Sequence, residues 1–91
     1  MPNIRISLVE DEALIREALI ALFSAEPGFE LVHAYRNAEE AVEGLRADQP
    51  HVVVMDISMP GMSGIDCVRT VADELPGTQF LMYTMHDDDH R

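Results

Sequence analysis

The sequence predicts an α/β domain in which a parallel sheet carries helices on both faces. Three observations predict it. Short apolar runs alternate strictly with stretches of helical period, in the order β-α-β-α-β-α-β. Two of the runs end abruptly in carboxylates, at Glu10-Asp11-Glu12 and at Asp56. The length of 91 residues allows one domain, expected to span residues 1–91, with no repeat, linker or low-complexity stretch.

The first run, Ile4 to Val9, is apolar or small except for Arg5, as suits a strand buried on both faces. Ile15, Ala18, Leu19, Leu22 and Phe23 then form the stripe of an amphipathic helix, closed by Pro27-Gly28. Phe29 to Tyr35 alternates in polarity and reads as an edge strand. Asn37 and Glu40 form a capping-box-like start to a helix through Ala41, Val42 and Leu45, which ends before Pro50. The most apolar run, Val52-Val53-Val54-Met55, follows and ends in Asp56. A Pro- and Gly-rich loop, Ser58 to Gly64, leads to a third helix. Ser63 and Asp66 mark its start, Val68, Val71, Ala72 and Leu75 its buried stripe, and Pro76-Gly77 its end. A fourth strand, Gln79 to Thr84, precedes the polar tail His86-Asp87-Asp88-Asp89-His90-Arg91.

Composition excludes several classes. At 47% hydrophobic the chain can build a core, although one this short buries only roughly two-thirds of its unfolded surface. Seventeen acidic against six basic residues, all six of them arginine, give a net charge of −11. Such a surface repels nucleic acid and anionic membranes, so neither is expected as a partner of this chain alone. No run approaches the roughly 18 apolar residues of a membrane span, and Met1-Pro2-Asn3-Ile4-Arg5 lacks a signal-peptide layout. The expected location is therefore cytoplasmic. Solitary Cys67 reads as a small core residue, and Met55, Met59, Met62, Met82 and Met85 as core filling. His33 and His51 fall at strand positions with no partner motif. The acidic tail reads as the solvated start of a further helix rather than a metal site.

In open parallel sheets, ligands bind beyond the carboxyl ends of the strands. The residues there are Glu10 and Asp11 after the first strand, Asp56 after the third and Thr84 at the end of the fourth. Two like charges about 5 Å apart repel by roughly 3 kcal/mol at an effective dielectric of 20. Clustered carboxylates therefore need a cation or must take up protons, and an all-oxygen set suits magnesium. Each residue also has a plainer reading: Asp11 or Glu12 at a helix start, Thr84 as an ordinary strand residue. A carboxylate closing a buried strand, as Asp56 does, is harder to explain without a partner.

The stretches Ile6 to Glu12, Val53 to Gly64 and Phe80 to Thr84 resemble the receiver domain of two-component response regulators, over nearly the whole chain. The resemblance implies a flavodoxin-like three-layer αβα fold with a parallel sheet of order 2-1-3-4, lacking the family's fifth strand and last helices. It implies that Asp56 accepts a phosphoryl group from a sensor histidine kinase or a small acyl phosphate. Mg²⁺ would be held by Asp11 and Asp56, the Ser58 backbone carbonyl and, through a water, Glu10. Thr84 would hydrogen-bond a phosphoryl oxygen, and Ser58 and His86 would line the route of a hydrolytic water. Pro27 to Leu31 and Met59 to Gly64 further resemble the subgroup that carries a LuxR-type helix-turn-helix output domain, which implies a parent that regulates transcription.

The family's fifth strand also delivers a lysine to the phosphoryl group. This chain has no lysine and stops where a fourth helix is expected, so it reads as a receiver cut before its last strand. Electrostatic partners of a transferring phosphoryl group commonly contribute several kcal/mol. The chain is therefore expected to bind Mg²⁺ but to take phosphate poorly or not at all, and to be no enzyme. The fourth strand would then be an exposed apolar edge, so self-association through that edge or by element exchange is expected. Two alternatives remain: a dimerising fragment that is not phosphorylated, and an aspartate-nucleophile phosphohydrolase of the haloacid dehalogenase type. The latter needs a second aspartate two residues after the nucleophile, where this chain has Ser58.

Overall fold

The computed structural model describes residues 3–84. Four strands and three helices follow the expected order: β1 (Ile4–Val9), α1 (Ala13–Ala25), β2 (Phe29–Tyr35), α2 (Ala38–Asp48), β3 (Val52–Asp56), α3 (Gly64–Val71) and β4 (Gln79–Tyr83). The sheet has the order β2-β1-β3-β4 and every pairing is parallel, the expected flavodoxin-like arrangement. β2 is an edge strand, as its alternating pattern implied. Met85, His86 and the tail from Asp87 to Arg91, including the expected start of a fourth helix, lie outside the described residues, as do Met1 and Pro2. Thr84 follows β4 rather than belonging to it.

Two cores flank the sheet. Val9, Val53 and Met55 point to the face covered by α2 and α3, where Ala38, Ala41, Leu45, Cys67, Val71 and Leu75 close over them. Each fully buried Val or Leu there contributes about 1.5–3 kcal/mol. Ile6, Leu8 and Val54 point to the other face, covered by Leu19, Ile20 and Phe23 of α1. Cys67 is buried, and burial pushes its thiol up to about 11, as befits an inert core residue. Met55 and Met59 are buried and Met62 and Met82 pack against the same core, as core filling predicts.

The helix starts are largely local. The Asn37 side chain accepts from the Glu40 N–H at 2.8 Å, and the Ser63 hydroxyl from the Asp66 N–H at 3.2 Å. The capping box at Asn37 is only half made, because Glu40 turns back to the Arg36 N–H and guanidinium rather than to Asn37. The third helix breaks into a 3₁₀ turn at Ala72–Glu74 before Pro76, so Ala72 is only half-buried while Leu75 is fully buried.

The stripe expected on α1 needs correction. Leu22 is 62% exposed and Ala18 is exposed, while Ile20, outside the expected stripe, packs on the sheet with Leu19 and Phe23. This helix is apolar almost all round, so its periodicity could not choose the inward face. A second departure is in β2. Ile6 pairs with Leu31 but Ser7 pairs with His33, leaving Val32 as a bulge. The extra residue flips the alternation: Phe29, Leu31 and Ala34 pack toward α1, whereas Tyr35 enters the core under α2.

That flip builds a polar lock between β2, β1 and the end of α2. Asp48 Oδ2 accepts the Tyr35 hydroxyl at 2.6 Å and the Ser7 hydroxyl at 3.0 Å. His33 stacks on Tyr35 with ring centroids 4.4 Å apart. The Arg5 guanidinium donates to the carbonyls of Asp48 and Gln49 at 2.7 and 2.8 Å, where Gln49 ends the helix in the left-handed region at φ 44°. His51 lies in the bend before β3, not in the strand, and its Nδ1 accepts the Arg5 N–H at 2.9 Å. Gly44 makes room for the lock, since a Cβ there would stand 2.0 Å from the Tyr35 hydroxyl oxygen.

Gly44→Ala is accordingly expected to destabilise the fold by about 1–3 kcal/mol, by pushing Tyr35 off Asp48. Urea unfolding measures it. A gain of about 1 kcal/mol, as helix propensity alone would give, contradicts the lock.

Candidate metal centre

Strand alternation decides what meets at the carboxyl end of the sheet. Val54 faces α1, so Asp56, two residues on, emerges on the same side. Leu8 likewise places Glu10 there, and Tyr83, in register with Asp56, packs with the α1-side cluster. The turn after Glu10 adds Asp11. Carboxylate oxygens of Glu10, Asp11 and Asp56 lie within 4.8 Å of one another. Glu10 is fully buried, Asp56 is 5% exposed and Asp11 is half-buried.

Backbone N–H groups hold two of these carboxylates. Glu10 Oε2 accepts the Glu12 N–H at 2.9 Å, and Asp56 Oδ1 accepts the Ser58 N–H at 3.0 Å. The remaining oxygen of Glu10 accepts the Tyr83 hydroxyl. Burial raises the Glu10 pKa above the ordinary carboxylate value, and the charges of Asp56 and Asp11 push the same way against the hydrogen bonds from Tyr83 and Glu12. Burial and the Glu10 carboxylate likewise hold the Tyr83 phenol protonated, so it stays a donor. The cluster thus concentrates negative charge in a partly dry place.

Three hard oxygen donors at this spacing fit a small divalent cation such as Mg²⁺. Glu10, Asp11 and Asp56, expected from the sequence as ligands, are brought together; Ser58 follows Asp56 closely, and Thr84 stands at the end of β4 beside the β3 end. Three contributors escaped the sequence reading. Arg16 Nη1 donates to the carbonyls of Glu10 and Asp11 at 2.9 and 3.3 Å, fixing the turn after β1 through its backbone. Gly64 lies against the end of β3, where a Cβ would stand 2.5 Å from the Asp56 carbonyl oxygen, and its N–H donates to the Ile57 carbonyl at 3.1 Å. Tyr83 is the third. Only Gly64 left a sequence signal, as the last glycine of the loop; Arg16 and Tyr83 act on partners that the pattern does not reveal.

The sequence model of the response regulator receiver domain matches residues 6–91. The chain is 34% identical over 87 residues to the transcriptional regulatory protein DegU of Brevibacillus brevis, covering 96% of this chain and 37% of that protein. It is 38% identical over 73 residues to a protein-glutamate methylesterase/protein-glutamine glutaminase of Oleidesulfovibrio alaskensis, covering 80% of this chain and 20% of that protein. Its fold is similar to a LuxR-family two-component response regulator from Aurantimonas sp. SI85-9A1, with a TM-score of 0.84 and 34% identity, covering 93% of this chain and 61% of that one. The chain therefore spans only about a third and a fifth of these two curated relatives, both of which carry much more chain than the part it matches. With a matching sequence pattern, sheet order and strand-end acidic cluster, the chain belongs to the response regulator receiver domain family.

Proposed function

We propose that this chain is the phosphoacceptor signalling module of a two-component response regulator. The observation that carries the reading is the convergence of Glu10, Asp11 and Asp56 at the carboxyl edge of a receiver sheet. A carboxylate oxygen of Asp56 attacks the phosphorus of a phosphohistidine on a sensor kinase, or of a small acyl phosphate. The P–N or P–O bond to the donor breaks, and the electron pair leaves with the imidazole or carboxylate. Asp11, Asp56 and the Ser58 carbonyl would hold Mg²⁺, with Glu10 acting through a water. A cation bound there would supply positive charge that offsets repulsion between the Asp56 carboxylate and the incoming phosphoryl group. The Thr84 hydroxyl would donate to a phosphoryl oxygen and so convert the new local charge into a change at the far face of the domain.

Output lies with the parent protein. Its relative DegU is named a transcriptional regulatory protein, which supports transcription regulation as the output of the longer protein. The chain's net charge of −11 speaks against DNA binding by the receiver itself. Among the described residues no helix is long and apolar enough to cross a membrane, and a cytoplasmic location suits a kinase-fed module. The phosphohydrolase reading lacks its acid/base aspartate, because Ser58 stands in that place.

Acetyl phosphate with Mg²⁺ is expected to phosphorylate the chain slowly, since it holds no lysine, and only at Asp56. Intact-mass and peptide mapping should show one adduct, absent with chelator and in Asp56→Asn. Rapid stoichiometric labelling contradicts the expected slowness. No adduct after a day, or one indifferent to Asp56→Asn, contradicts the acceptor role.

A second reading concerns association. Among the described residues, β4 pairs only with β3, and Leu81 is 59% exposed on the α1 face of this edge strand. Apolar grooves flank it on both sheet faces, lined by Ile15, Leu19 and Tyr83 on one side and Ile65, Val68 and Phe80 on the other. We infer self-association of the chain through β4 or by exchange of an element. Light scattering at micromolar concentration should give a dimer or larger species, equally for wild type and Asp56→Ala; a monodisperse monomer overturns it.

A further inference from the structure

Glutamate at the tenth position reaches one methylene further than an aspartate would, and that extra freedom must be removed for a buried carboxylate to serve a cation. The means is visible in the structure. One Glu10 oxygen accepts the Glu12 N–H at 2.9 Å, and the other accepts the Tyr83 hydroxyl across the end of β3. Each carboxylate oxygen has two acceptor sites, so one donor apiece fixes the group and leaves a site on each oxygen. One of these Glu10 oxygens lies within 4.8 Å of carboxylate oxygens of Asp11 and Asp56.

Tyr83 is itself well fixed. Its ring packs with the cluster of Ile6, Leu8 and Val54 and lines a groove with Ile15, Leu19 and Leu81. Its carbonyl accepts the Ile57 N–H at 2.8 Å, and it is in register with Asp56. The hydroxyl is therefore delivered from the strand that ends beside Asp56, on a side chain with little freedom to wander.

We infer that Tyr83 is a positioning residue for the cation site, holding the longer Glu10 side chain in the orientation that a divalent cation or its water requires. The inference rests on the proposed Mg²⁺ site. Removing a partner that orients a metal ligand typically weakens binding by about tenfold to a hundredfold. Here Glu12 supplies a second hold on Glu10, so Tyr83→Phe, which keeps the ring, sits at the lower end of that range.

The test is a Mg²⁺ titration of the full chain as wild type, Tyr83→Phe, Glu10→Asp and the double variant, with melting temperatures of the metal-free proteins. Tyr83→Phe is expected to weaken Mg²⁺ binding about tenfold in the Glu10 background and less than twofold in the Glu10→Asp background, where the shorter arm falls away from the hydroxyl. Equal affinity of wild type and Tyr83→Phe overturns the role of Tyr83 and leaves the cation site standing. An equal loss in both backgrounds also overturns it, as the mark of a packing effect. No saturable Mg²⁺ binding by wild type overturns both the site and the inference. If Tyr83→Phe does not fold, the near-ultraviolet tyrosine spectrum of Tyr35→Phe decides, because Tyr83 is then the one remaining tyrosine. A change on adding Mg²⁺ supports the inference and an unchanged spectrum overturns it.

Discussion

Parallel strands β1 and β3 lie side by side and end at the same level, so the residues that terminate them share one small volume. In this chain those residues are Glu10, Asp11 and Asp56, with oxygens within 4.8 Å of one another and two of the three side chains buried. Repulsion between any two of them is on the order of 3 kcal/mol at that spacing. Much of the neighbouring structure answers this charge. Backbone N–H groups of Glu12 and Ser58 point at the carboxylates, the Tyr83 phenol adds a neutral donor, and Arg16 clamps the turn through its carbonyls. A cation completes the balance in the proposed function; burial and the neighbouring carboxylates raise the Glu10 pKa, the direction that such crowding dictates.

Such a site needs a rigid platform, and the two-sided core provides it. The α2 and α3 side is the denser, with Leu45, Val71, Cys67 and Met55 fully buried, whereas α1 contributes no fully buried residue. At the edge beyond β1, the bulge at Val32 turns Tyr35 inward to Asp48, tying β2 to α2 while leaving Phe29 and Leu31 toward α1. Gly64 performs the corresponding task beside the site, where the start of α3 must approach the backbone of Asp56 closely.

Features set by neighbours in the chain were legible in the sequence: strand limits, the caps at Asn37 and Ser63, and the acidic ends of β1 and β3. The alternation of apolar runs with helical stretches was enough for a parallel sheet, and the family resemblance supplied its order. What escaped depends on distant contacts. Because α1 is apolar nearly all round, only packing could reveal that Leu22 faces outward and Ile20 inward. The bulge at Val32 leaves no trace in a strand whose apolar residues suit either face. Tyr83 reads as an ordinary strand residue until the fold brings it to Glu10, 73 positions away. The capping box at Asn37 was half right, since Glu40 takes both the N–H and the guanidinium of Arg36 in place of the Asn37 N–H.

The account stands on the strand-end carboxylates forming one discrete cation site rather than a diffuse patch on an acidic surface. Substituting Mn²⁺ for Mg²⁺ at substoichiometric amounts, and following backbone amide resonances by NMR, tests this most directly. Paramagnetic broadening is expected to centre on Glu10, Asp11, Asp56 and Ser58, to be weakest at Gly28 and Gln79 by the amino ends of the strands, and to be reversed by excess Mg²⁺. Broadening spread over the exposed acidic residues, or undiminished in Asp11→Asn, would contradict it.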